Sequence, residues 1–211
     1  MNVQRPAFPI PILCIDDFLS EGDSEEVLRE CIDLKKVYMP ARVFDGPNVT
    51  RVDLRHRKNE VVYLDDVFRS APERSDILRI MKSAIWTEAC RALWHEGNYI
   101  FDVINYSTWQ ECVVARYGRG DFFKKHQDTR RDRLTYRLVT IVYYVNREPE
   151  NFTGGSLVLW NKDECIRLPP KHNRAVVFPS FTSHEVEPVG MADEAGWEDA
   201  RFSLNYWIGF K

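Results

Sequence analysis

The chain has no run of about 18 apolar residues, no CxxC pair, no internal repeat, no low-complexity linker and no strong charge of either sign. Without a long apolar run, no helix is expected to cross a bilayer. The stretch from Met1 to Cys14 carries three prolines and no basic region ahead of an apolar run, so it does not read as a secretory signal. The five cysteines, Cys14, Cys31, Cys90, Cys112 and Cys165, are scattered and odd in number. That argues against a disulfide framework and for a reducing, cytoplasmic setting. A formal net charge of -3 gives no global reason to bind nucleic acid or an anionic membrane.

What is present suits a globular chain. Hydrophobic residues make up 44% and charged residues 29%, close to ordinary averages. At 211 residues the length predicts one domain with a substantial core. Within it, residues 1–110 are read as helical support with a variable segment, and 111–211 as the β-rich core. Ser20 and the acidic residues after it predict a helix to about Lys36. Ile77, Met81, Ile85 and Ala89 recur at helical spacing and predict one long amphipathic helix from Pro72 to about His95. Between these lies a basic segment, Ala41 to Leu64, with the turn formers Asp45-Gly46-Pro47-Asn48, expected to be a hairpin or long loop. After Gly97 short β-rich runs follow one another: Cys112 to Tyr117, Tyr136 to Val145, Gly155 to Trp160, Arg174 to Phe178, His184 to Val189 and Arg201 to Phe210. This rhythm predicts an α+β, mainly β fold, a barrel or jelly roll buttressed by the N-terminal helices.

Within the β-rich half, His126 and Asp128 are two residues apart, so in extended chain they point the same way. His184, between two predicted strands, offers a third ligand. Two histidines and a carboxylate on one face of an octahedron suit non-heme Fe(II) with open positions for a co-substrate and O2. Alternation along the last strand puts Arg201, Ser203, Asn205 and Trp207 on one face. A buried guanidinium there needs an anionic partner, and a dicarboxylate supplies one. Tyr144 shares a strand face with Val142 and Thr140 and can reach the same ligand. His56, His95 and His172 read as ordinary surface or packing residues.

These segments resemble the prolyl-hydroxylase-like branch of the Fe(II) and 2-oxoglutarate-dependent oxygenases. The likeness rests on Arg116-Tyr117-Gly118 ahead of His126-Gln127-Asp128, on Arg137 to Asn146, on Gly154-Gly155-Ser156-Leu157, on Phe178-Pro179-Ser180, on His184 to Pro188, and on Arg201 with Trp207. It implies a double-stranded β-helix with Fe(II) on His126, Asp128 and His184. It also implies 2-oxoglutarate held by Arg201 with Tyr144, Tyr117, Thr140 and Ser203, and ascorbate as a reductant. Trp207, Leu157, Asn205, Val186 and Arg130 are assigned to the substrate pocket. The implied reaction consumes O2 and hydroxylates proline or another amino acid, free or within a peptide or protein. The carboxylate at Asp128 favours hydroxylation over halogenation and leaves desaturation and cyclisation open. The resemblance also implies that the Ala41 to Leu64 segment covers the substrate, so that some of Arg42, Arg51, Arg55 and Arg57 contact an anionic part of it, with a solvated basic loop as the favoured alternative; Arg130-Arg131-Asp132-Arg133 is a second basic patch beside the expected mouth. Two rival readings remain at this stage: a non-catalytic jelly roll sensing a metal or anion, and a facial-triad iron enzyme that uses no 2-oxoglutarate.

Overall fold

Alternation of side chains on a few long strands organises the molecule into three layers. The computed structural model describes residues 1–44, 49–129 and 137–210. An eight-stranded antiparallel sheet runs in the order Asn2–Gln4, Leu13–Asp16, Arg174–Pro179, Arg137–Val145, Arg201–Gly209, Trp109–Tyr117, Glu60–Tyr63, Met39–Pro40. A five-stranded sheet has the order Glu164–Leu168, Leu157–Asn161, Ser183–Val186, Phe122–His126, Arg57–Lys58. On the large sheet, Val139, Ile141, Tyr143, Phe202, Leu204, Tyr206 and Ile208 pack with the helices in one core. Their alternate neighbours turn the other way. Val142, Tyr144, Val176 and Phe178 meet Leu157 and Leu159 of the small sheet, while Val113, Ala115, Tyr117 and Trp207 meet Val186. A period of two along each strand thus divides the sheet between a helix-side core on one face and two smaller clusters on the other.

The first helix, Glu21–Asp33, starts where predicted, with the Ser20 hydroxyl accepting from the Asp23 N–H. The single long helix expected from Pro72 to His95 is instead a 3-10 turn, Pro72–Arg74, and two helices, Asp76–Ile85 and Glu88–Gly97. The break has a local cause. The Thr87 hydroxyl caps the second helix by accepting from the Cys90 N–H, and the Trp94 indole donates to the Ile85 carbonyl at 2.8 Å, satisfying the end of the first. A further helix, Tyr99–Tyr106, is missing from the sequence reading. Its Ile, Phe, Val and Tyr content looks like strand, but the Asn98 side chain caps it and Phe101 and Ile104 bury one face.

The basic segment is more ordered than a plain loop. Val43–Phe44 pairs with Thr50–Arg51, after which Arg57–Lys58 edges the small sheet and Glu60–Tyr63 joins the large one. It therefore stitches the two sheets at one end of the space between them. Asp45-Gly46-Pro47-Asn48, Arg130-Arg131-Asp132-Arg133 and Tyr136 lie outside the described residues. Among the described residues no helix is long and apolar enough to cross a membrane.

Candidate active site

The small sheet places His126 and His184 directly opposite each other on neighbouring strands. Asp128 follows in a bend, where its N–H donates to the Ser180 carbonyl at 3.1 Å. The backbone bond to Ser180 therefore aims Asp128, whereas the sequence argument assumed an extended chain. His126 Nε2 lies 3.7 Å from Asp128 Oδ1, and His184 Nε2 lies 3.6 Å from Asp128 Oδ2. One donor atom from each of the three residues falls within 4.8 Å of the others.

Backbone carbonyls fix both rings. His126 Nδ1–H donates to the Lys124 carbonyl and His184 Nδ1–H to the Thr182 carbonyl, each at 2.8 Å. A carbonyl only accepts, so the proton sits on Nδ1 and the Nε2 lone pairs face inward. Asp128 is oriented in the same manner, because its Oδ2 accepts from Thr140 Oγ1 at 2.9 Å and from the Trp207 indole at 2.8 Å. Arg137 braces that indole, with its guanidinium 3.6 Å from the ring and an ion pair to Glu111 at 2.6 Å. Burial holds the His126 pKa well below its usual value, and the neighbouring His184 adds to the shift. Burial pushes the Asp128 carboxyl upward, but His184, His126, Arg137 and the Trp207 hydrogen bond together bring it below the normal range. Fe(II) binds such a set as neutral imidazoles and a carboxylate, and the directions of the His126 and Asp128 shifts both favour that state.

Trp207→Phe tests this bracing. The phenyl ring keeps a face for Arg137 and removes only the indole donor, so Fe(II) affinity measured anaerobically by calorimetry is expected to fall by about 10- to 100-fold. An unchanged affinity would show that Thr140 alone orients the carboxylate.

Deeper in the same cavity, Arg201 is 1% exposed. Its guanidinium lies between two aromatic rings, 4.7 Å from the Tyr117 centroid and 4.9 Å from that of Tyr144. Nε donates to the Gly155 carbonyl at 2.9 Å and Nη1 to Ser203 Oγ at 3.2 Å. No carboxylate among the described residues forms an ion pair with it. The Tyr144 hydroxyl is buried and lacks a hydrogen bond of good geometry. Burial raises its pKa to about 12 against the lowering effect of the nearby Arg201 charge. A buried cation without a counter-ion among the described residues, beside a buried hydroxyl without a well-formed hydrogen bond, is a costly arrangement that an anionic acceptor would relieve. The distal carboxylate of 2-oxoglutarate fits both groups, and the facial set nearby fits Fe(II).

Gly155 makes the close packing possible. Its φ is +64°, and a Cβ there would meet Arg201 Cδ at 2.7 Å and Val189 Cγ2 at 2.9 Å. Gly155→Ala is expected to lose about 1–3 kcal/mol of stability in denaturant titration and to weaken 2-oxoglutarate binding by displacing the guanidinium.

One cavity of about 1020 Å³ holds the triad and Arg201, and Tyr117, Leu157, Val186, Ser203, Asn205 and Trp207 also line it. Tyr144 borders it through the Arg201 sandwich, and Thr140 supports it through Asp128. Arg130 lies outside the described residues. His56, expected to be an ordinary surface or packing residue, lines the cavity, as do Glu111 and Arg137, neither of them expected in the site. His56 packs edge-on to Phe123, 5.8 Å between centroids. For Glu111 and Arg137 a signal existed, since both fall at the end of a strand whose other positions point into the site.

The model of the 2OG-Fe(II) oxygenase superfamily matches residues 112–209. An uncharacterized PKHD-type hydroxylase from Synechocystis sp. is 25% identical over 92% of this chain and 61% of its own length, so the chain spans about three fifths of that relative. In fold, the chain is similar to a prolyl-4-hydroxylase from Pseudomonas putida, with a TM-score of 0.68 at 22% identity, covering 95% of this chain and 94% of that one. It is also similar to a prolyl hydroxylase from Trichoplax adhaerens solved in complex with a hypoxia inducible factor oxygen degradation domain peptide fragment. There the TM-score is 0.66 at 22% identity, with coverage of 94% and 83%.

Proposed function

We propose that this chain, prolyl-4-hydroxylase-like in fold and carrying the 2OG-Fe(II) oxygenase domain over residues 112–209, hydroxylates an unactivated C–H bond of proline or another amino acid, free or within a polypeptide. The observation that carries the reading is the buried Arg201, with no counter-ion among the described residues, in the same cavity as the His126, Asp128, His184 set. When bound, Fe(II) and 2-oxoglutarate supply the oxidising power, O2 and the oxo acid giving succinate and CO2 while one oxygen atom enters the substrate.

The residues of the chain do the positioning. His126, His184 and Asp128 Oδ1 would hold Fe(II), whose remaining positions would serve the co-substrate and O2. Arg201 and the Tyr144 hydroxyl take the distal carboxylate. Leu157, Val186 and the Tyr117 ring close the wall around the co-substrate and keep water from it. The cavity continues past the metal set toward Arg57 and Trp109, leaving room for a side chain or a short peptide.

The decisive assay is succinate formation by the full chain with Fe(II), 2-oxoglutarate and air, across free amino acids and proline-containing peptides. Turnover stimulated by one panel member, with the matching hydroxylated product, is the expected result. Iron binding without any succinate release would instead favour a metal-binding protein or an enzyme independent of 2-oxoglutarate.

A further inference from the structure

The cavity's carboxylates have partners. Asp53 takes Arg51 at 3.2 Å, Asp66 takes Arg69 at 2.6 Å, Glu111 takes Arg137 at 2.6 Å, and Asp128 belongs to the metal set. Arg57 lines the same cavity, half-buried, with no carboxylate partner among the described residues. Its Nε donates to the Asn59 side-chain oxygen at 2.7 Å, and Asn59 is itself buried and tied to the Glu60 carbonyl. The guanidinium lies 4.3 Å from the Phe123 ring centroid, and Phe123 stacks on His126 at 3.5 Å with 17° between the planes. The fork is therefore anchored at Nε and held by a ring, with its two terminal nitrogens uncommitted among the described residues, one aromatic layer from a metal ligand.

We propose that Arg57 is a specificity residue that binds a carboxylate of the substrate and so brings a carbon a few bonds away from that group to the metal. This rests on the oxygenase reading above. A guanidinium whose outer edge is free presents two parallel donors, the geometry a carboxylate accepts. The co-substrate has its own cation at the buried end, so Arg57 is not needed for it. A phosphate dianion would call for more than one uncommitted cation, but Arg51 and Arg137 are already neutralised and Arg42 is exposed at the rim. The carboxylate can be the α-carboxylate of a free amino acid or an acidic side chain next to the oxidised residue in a polypeptide.

Acid and amide pairs separate these cases: L-proline with L-prolinamide, and peptides carrying Glu or Gln beside a proline. Each is titrated by calorimetry into the full chain loaded with Mn(II) and 2-oxoglutarate, a complex that does not turn over. In one pair the acid is expected to bind at least about tenfold more tightly than the amide. Arg57→Gln should bring that ratio to about one, and Arg57→Lys should keep part of it. The pair that responds identifies the source of the carboxylate. Equal binding of acid and amide, no binding of any carboxylate, or an Arg57→Gln protein that weakens only 2-oxoglutarate binding would each overturn the assignment. Succinate release by the iron-loaded protein without substrate reports on the oxygenase reading separately, so failure of one is not confused with failure of the other.

Discussion

His184→Ala is expected to abolish succinate formation and to lower metal affinity by more than about 100-fold, while the chain stays folded. Hydrogen-bond partners that only orient a metal ligand are worth about 10- to 100-fold in affinity, so loss of a ligand must exceed that. The fold should tolerate the change because His184 is a cross-strand partner at the cavity wall and its neighbours Leu159 and Phe178 are held by their own core. Removing the imidazole also relieves the crowding with His126, whose ring centroid lies 4.2 Å away. Anaerobic calorimetry with Fe(II) and a thermal melt of the same sample read both effects. Retained iron affinity with lost activity would mean that His184 is not a ligand and that the three-donor reading is wrong.

Arg201→Met should uncouple co-substrate binding from metal binding. Truncating one partner of a buried, hydrogen-bonded charge pair costs about 2–5 kcal/mol, which corresponds to roughly 30- to 5,000-fold in 2-oxoglutarate affinity. In the absence of ligand the same change removes a buried charge that has no counter-ion among the described residues, and a thioether fills the slot between Tyr117 and Tyr144. Stability of the unliganded protein is therefore expected to change little or to rise, offset by the hydrogen bonds lost at Gly155 and Ser203. The clearest readout is thermal. A saturating ligand at 100 times its Kd adds about 2.7 kcal/mol to the folded state, so 2-oxoglutarate should raise the melting temperature of the unaltered chain and not that of the variant, with Mn(II) binding retained in both. A variant that still melts higher with 2-oxoglutarate would move the distal carboxylate away from Arg201.

The last strand shows why much of the site was legible. Arg201, Ser203, Asn205 and Trp207 line the cavity, and Phe202, Leu204, Tyr206 and Ile208 lie in the helix-side core, as a period of two demands. The role of Trp207 was less accessible. It was placed in the pocket wall, and its indole N–H turns out to hold Asp128 Oδ2. Thr140, assigned to the co-substrate, likewise directs its hydroxyl to Asp128 and Ser180. No local pattern announces a hydrogen bond between residues 79 positions apart in the chain. The split of the predicted helix at Trp86 and Thr87 is a comparable case, because the apolar spacing continues across the break and only the capping bonds reveal it.

Local chemistry by itself determined the strand periodicity, the common direction of His126 and Asp128 as candidate donors and the presence of an arginine on an inward face, since each depends on residues close together in the chain or on one element's geometry. Tertiary structure alone decided which way these groups are turned and what they meet. Backbone carbonyls select the histidine tautomers, Ser180 aims Asp128, Gly155 lets the guanidinium pack close to the backbone, and Asn59 with Phe123 fixes Arg57 beside the metal set. The physical reason is that hydrogen bonds and ring contacts act over about 3–5 Å, so they belong to whatever the fold brings together, however far apart in sequence.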